Sequence, residues 1–166
     1  MRPVNGPPRA AERSTVPRPH TGAMRVYIPA TVDDLALQTS GQWEPELAFA
    51  VTEAWRDAAE DLDEDELAEA AIDAAAMESG LEFGSRLRAV IAADVSRADA
   101  VLDPKVHPAA VRINGKLATA SVACVFLDED DAASDVVAAR AGDEGALERL
   151  ADRTLLWYDL AEVLGK

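Results

Sequence analysis

The sequence predicts an α/β fold: a single layered domain in which helices pack on a mixed sheet of about five to six strands. Two observations carry the prediction. Short apolar runs, rich in Val, Ile, Leu and Ala, recur along the chain at "MRVYI", "ELAFAV", "RLRAVIAADV", "AAVRI", "SVACVFL" and "TLLWY", and such runs read as strands. Between most of them lie alanine-rich or amphipathic stretches that open on Thr or Asp, the residue types that cap helices. The 166 residues suit one domain, long enough to bury roughly 68–70% of its unfolded surface without a disulfide or metal staple.

Taken in order, "MRVYI" (24–28) alternates Met24, Val26 and Ile28 with Arg25 and Tyr27, and Pro29 is expected to end it. Thr31 is the expected cap of a short helix through "VDDLALQ". "ELAFAV" (46–51) is the second strand, and Thr52 caps "EAWRDAAEDL". Asp63 with Glu66 makes an Asp-x-x-Glu helix start, and Leu67, Ala70, Ala74, Met77 and Leu81 form the apolar stripe that follows. Gly80 is expected at or near its end. "RLRAVIAADV" (86–95) is apolar on both faces at its centre, as buried strands are. "AAVRI" (109–113) is followed by Asn114-Gly115, a hairpin-type turn signal, and then by the strand "SVACVFL" (121–127). Helices are expected from Asp130 and over 144–151. "TLLWY" (154–158) is the last strand, and Asp159 opens a terminal helical turn.

The first 23 residues differ from the rest. They hold five of the nine prolines, four arginines and one acid, so no helix or central strand runs through them. No apolar core of a signal peptide is present. The segment is expected to be disordered, with the natural start at Met24 and the α/β domain over 24–166. A Pro/Arg-rich tail that binds a partner is the competing reading.

Charge excludes more than it suggests. Sixteen bases face 31 acids, for a net charge of −15. Affinity for a nucleic acid backbone rests on Lys and Arg at phosphates, so no nucleic acid partner is expected. An anionic membrane surface is disfavoured for the same reason, and no apolar stretch approaches the roughly 20 residues of a membrane helix. With one cysteine no internal disulfide can form, and the expected setting is cytoplasmic. Arg outnumbers Lys 13 to 3 and alanine is about a fifth of the chain, a bias that GC-rich codons produce and that points to a high-GC bacterium.

Taken as an ordered set, "MRVYIPAT" with "DL" just after it, "AFAVT" leading into a helix, the acidic helix near 60–75, "VIAADV", "FLDEDD" and the closing "LLWYDL" resemble an uncharacterised family of actinobacterial proteins of unknown function. The resemblance spans the chain from Met24 almost to Lys166. It implies a bacterial cytoplasmic setting and a start at Met24, and it supplies no catalytic residues.

The residues themselves offer little chemistry. From Met24 onward His107 is the one histidine, next to Pro108 in a loop-like stretch, with no nucleophile signalled around it. Cys124 lies inside an apolar strand, where a thiol is usually inert. One Cys and one His do not make a zinc site, and no phosphate-binding glycine loop occurs; no cofactor is expected. Glu66, Glu69 and Asp73 share a helix face and read as solvated. Carboxylates and hydroxyls remain. Thr31, Thr52, Asp128 and Asp159 each follow a strand and open a helix, and Asp94 lies near another strand end. On parallel strands these five would gather at one sheet edge, where open α/β sheets bind ligands, and Asp128 with Asp94 or Asp130 could hold Mg²⁺. Helix capping accounts for the same four strand-to-helix positions without a ligand, with Asp128 or Asp130 as cap. Trp43, in "SGQWEPE", is a candidate partner contact or a lid over the strand connection.

Two functions follow. The first is a non-catalytic acidic domain acting through a protein partner or its own dimer. The alternative is a small Mg²⁺-dependent or ligand-binding enzyme using the Asp94/Asp128 edge.

Overall fold

The structure, a computed structural model, describes residues 22–165. The tail assigned to residues 1–23 therefore lies almost entirely outside the described residues.

The α/β expectation holds, with two differences of detail. The sheet has seven strands in the order β4-β5-β2-β1-β3-β6-β7, and every pair is antiparallel. The strands are β1 (Ala23–Thr31), β2 (Leu47–Phe49), β3 (Arg88–Ser96), β4 (Ala100–Leu102), β5 (Ala110–Ile113), β6 (Val122–Leu127) and β7 (Leu156–Tyr158). The unforeseen strand is β4. Its "AVL" is too short to show alternation, and it becomes a strand only by pairing with β5. β1 runs through Pro29, which pairs opposite Val90; proline's φ suits an extended chain and only one N–H is lost. Asn114-Gly115 does turn, with Gly115 at φ +85°, but the chain then leaves for β6, which lies on the far side of β1 and β3.

The alternation of side chains sorts two cores onto the two faces of the sheet. Val26, Ile28, Ala89, Ile91, Val125 and Leu127 point to one face, which α1 (Leu35–Gln38), α6 (Leu160–Leu164) and the segments carrying Trp43 and Leu117 cover. Tyr27, Val90, Ala92, Cys124 and Phe126 point to the other, covered by α3 (Glu64–Met77). The capping box of α3 is present: Asp63 accepts from the Glu66 N–H and Glu66 accepts from the Asp63 N–H. Its buried residues are Leu67, Ala71, Ile72, Ala75 and Ala76; of the expected stripe Leu67 is buried, whereas Ala70, Ala74, Met77 and Leu81 are only half-buried, because the face turned to the sheet is the one that carries Ile72. Gly80 lies near its end, as expected, inside a π turn over Glu78–Glu82 that continues the helix. After α2 (Glu53–Ala58), α4 (Ala133–Arg140) and α5 (Glu144–Asp152) complete the set, the last two packing with Met77 and Leu81 of the α3 end.

The sheet is curled. Four inter-strand gaps separate β4 from β3 in sheet order, a span of about 19 Å in a flat sheet. The chain from Ser96 to Ala100 reaches no more than about 14 Å. The β4 edge must therefore bend back towards the end of β3.

Candidate functional site

Antiparallel pairing decides where the five strand-end groups go. Thr31 pairs with Arg88 at the start of β3, and Leu127 pairs with Ala89, so Thr31 and Asp128 share one end of the sheet. Asp94 pairs across to Arg25 near the other end of the same strands. Thr52 and Asp159 follow β2 and β7, which run towards the Asp94 end. The groups are thus divided between opposite ends, and the single edge that parallel strands would have supplied does not form.

Each group also has a local occupation. Thr31 donates to Asp34 Oδ2 at 2.9 Å and is no helix cap; Asp34 flanks the four-residue α1 instead. Thr52 caps α2, accepting from the Trp55 N–H at 3.0 Å and donating to the Pro108 carbonyl at 2.7 Å. The Arg25 guanidinium donates to both Asp94 oxygens, at 2.6 and 3.2 Å. Asp159 opens α6, its N–H donating to Glu162 Oε1 at 3.0 Å. Trp43 is half-buried against the first core, its carbonyl accepting from the Leu117 N–H at 2.8 Å.

Asp128 corrects both readings of "FLDEDD". It neither caps a helix nor stands open to a cation. A short 3₁₀ turn, Asp130–Ala132, precedes α4, and neither has a side-chain cap bond. The Asp128 carboxylate lies in the interior at 1% side-chain exposure, against Arg88 at 2%. It accepts from Arg88 Nε at 2.8 Å, Nη2 at 2.9 Å and the Arg88 backbone N–H at 3.0 Å. Arg88 Nη1 donates to the Leu150 carbonyl at 3.1 Å. This pair clasps β3, β6, α3, the π turn and α5. A cation on Asp128 would have to displace Arg88. Asp130 is exposed, and among the described residues no three or more His, Cys, Asp or Glu group as a metal site.

The π turn belongs to this network. Ser79, fully buried, donates to the Ala30 carbonyl and accepts from the Ala89 N–H at 3.0 Å. Arg140 reaches back from α4 to the Gly80 and Ser85 carbonyls at 2.9 and 2.7 Å. Burial, with Glu82 nearby, raises the Glu78 carboxyl above its ordinary range. Sequence reading missed Arg88 because an arginine opening a strand looks like a solvent-facing residue. No local signal joins it to Asp128, which lies 40 residues away along the chain.

His107 stands apart. It packs against Phe49 and Trp55 at ring separations of 5.4 and 5.2 Å. Its Nδ1 accepts from the Ala109 N–H at 3.0 Å, which requires the proton on Nε2 in the neutral ring. Burial lowers its pKa.

One edge of the sheet carries exposed apolar side chains. β4 is one of the two outermost strands, with β7 at the other edge, and pairs only with β5. The Asp103 N–H bonds to the Ala110 carbonyl and the Asn114 N–H to the Asp99 carbonyl. By the antiparallel alternation, the peptide groups of Ala100 and Leu102 then point away from β5, and the Ala100 N–H is taken by the Arg97 carbonyl at the end of the 3₁₀ turn Arg97–Asp99. Val101 shares a face with Arg112 and Leu102 shares the other with Val111, yet both are about half exposed, at 54% and 50%, as is Val106 at 51%. Residues 97–121 hold four bases and two acids in a chain of net −15.

The fold and these sites define a small acidic α/β domain with a buried Arg88–Asp128 ion pair at its centre and exposed Val101 and Leu102 on its β4 edge. Residues 24–164 match a family described as a family of unknown function, DUF6912, and the chain belongs to it. No curated protein and no solved structure matches the chain.

Proposed function

We propose that this chain is a non-catalytic protein-interaction or regulatory module of the cytoplasm, and that it works by adding a strand of a protein, a partner or its own copy, to the β4 edge. The observation that carries this reading is the exposed Val101–Leu102 strip on an edge strand, with the Leu102 peptide group pointing away from β5. Edge strands are normally blunted by shortness, charge or proline. β4 is short, and Pro104 and Lys105 follow it, but its apolar side chains are left in water on both faces. An added strand would pair with the outward Leu102 peptide group and cover both. The acidic balance argues against nucleic acid and anionic membrane as partners. Among the described residues no helix is long and apolar enough to cross a membrane. The carboxylate-enzyme alternative loses its support, because its groups lie at opposite ends and Asp128 is held by Arg88.

The test is a photo-reactive amino acid at Leu102, expressed in the native host, with Leu37 as the control. Leu37 is more exposed, at 67%, but lies on α1, away from the edge. A discrete cross-linked protein band at Leu102 and none at Leu37 is expected. Equal or absent labelling at the two positions refutes the reading.

A further inference from the structure

The Asn114-Gly115 turn carries chemistry of its own, independent of the interaction reading. We propose that it is a site of spontaneous modification, at which the folded chain converts Asn114 to isoaspartate and aspartate. The reacting groups are neighbours in sequence. The Gly115 backbone nitrogen gives its proton to solvent base and attacks Asn114 Cγ. The new N–Cγ bond closes a five-membered succinimide ring, the Cγ–Nδ2 bond breaks, and ammonia leaves with a proton from water. Water then opens the ring. Addition at Cγ breaks the new bond and leaves aspartate with an ordinary backbone. Addition at the Asn114 backbone carbonyl breaks the original peptide bond and leaves isoaspartate, with the chain running through Cγ. In sum one water is consumed and one ammonia released, with no oxidant or reductant.

A fold can suppress this reaction by bonding the side-chain amide, by bonding the attacking N–H, or by packing a group where the ring must close. None of these holds here. Asn114 is exposed, and among the described residues its carboxamide makes no hydrogen bond. The Gly115 N–H has no acceptor among them either, so releasing its proton breaks no protein hydrogen bond. A Cβ at Gly115 would meet nothing within 4 Å, which leaves room for the ring. Anchors lie on either side: the Asn114 N–H bonds to the Asp99 carbonyl and the Leu117 N–H to the Trp43 carbonyl, each at 2.8 Å. The peptide between Asn114 and Gly115 is itself unheld. Gly115 sits at φ +85°, and glycine's access to both signs of φ absorbs the rotation that brings its nitrogen to Cγ. Attacking and attacked atoms then share one short segment, so the step is unimolecular.

Either product adds a negative charge to residues 97–121, where four bases face two acids. Isoaspartate also inserts a backbone carbon between the anchors on Asp99 and Trp43.

The full chain is aged at mildly alkaline pH, folded in buffer and unfolded in urea, until conversion in urea is well advanced. Peptide mapping by chromatography and mass spectrometry follows position 114 separately from Asn5, which also precedes a glycine. Isoaspartate and aspartate are both expected at 114 in the folded chain, at a rate within about tenfold of that in urea. Global unfolding populates far too few chains to supply that rate, so it measures the folded turn. Asn114→Gln, whose longer side chain would need a larger ring, should stay unconverted over the same period. Slowing by more than about tenfold in the folded chain, aspartate without isoaspartate, or equal conversion of Asn114→Gln each overturns the proposal.

Discussion

Replacing Asp128 with alanine tests whether "FLDEDD" serves a cap, a metal or an ion pair. The carboxylate accepts three N–H bonds from Arg88, and both side chains are essentially without water contact, at 1% and 2% exposure. Its removal leaves a guanidinium buried among Met77, Gly80 and the Leu150 carbonyl. Breaking a buried pair from one side costs about 3–5 kcal/mol, because the remaining charge is uncompensated. Loss of a helix cap costs about 1 kcal/mol. For a chain of this length the larger figure lowers the thermal midpoint by about 6–20 °C. The effect should be insensitive to salt, which does not screen an interior pair, and to Mg²⁺. The double variant Arg88→Met/Asp128→Leu removes both charges together and should recover most of the loss, since apolar replacements of buried pairs are often neutral. Urea melts of wild type, both single variants and the double variant make the measurement. An Asp128→Ala cost near 1 kcal/mol, or single costs that simply add in the double variant, refutes the ion-pair account.

Further outcomes follow from the same structure. Gly80→Ala would place a Cβ 3.0 Å from Arg88 Cγ and 3.3 Å from Val136 Cγ1. Since Arg88 is pinned at its guanidinium and cannot yield, a loss of about 1–3 kcal/mol is expected in a chemical melt. Burial lowers the His107 pKa below its unfolded value of about 6.5. The neutral ring is the folded form, so its contribution is complete above about pH 6.5 and is lost as pH falls from there through the folded pKa. Urea midpoints between pH 7.5 and 5 (~2.5 units) should fall more steeply for wild type than for His107→Gln; identical slopes would remove His107 from the account. The domain should show no measurable affinity for duplex or single-stranded nucleic acid at about 0.15 M salt, and submicromolar binding in a filter or anisotropy assay would contradict the charge argument.

The sequence by itself determined what depends on local periodicity and composition. Strand runs at 24–28, 46–51 and 121–127, the Asp63–Glu66 capping box, the Thr52 cap and the acidic surface were all legible, because each rests on residues a few positions apart. Tertiary structure alone decided strand direction, and with it the fate of the candidate site. Thr31, Thr52, Asp94, Asp128 and Asp159 look equivalent along the chain, but antiparallel pairing sends them to opposite ends of the sheet. Pairing also made a strand of Ala100–Leu102, which shows no periodicity of its own. Arg88 and Asp128 lie 40 residues apart, and nothing local marks either as buried. Burying a charge becomes tolerable only when the opposite charge arrives beside it, and the register of β3 against β6 brings that about.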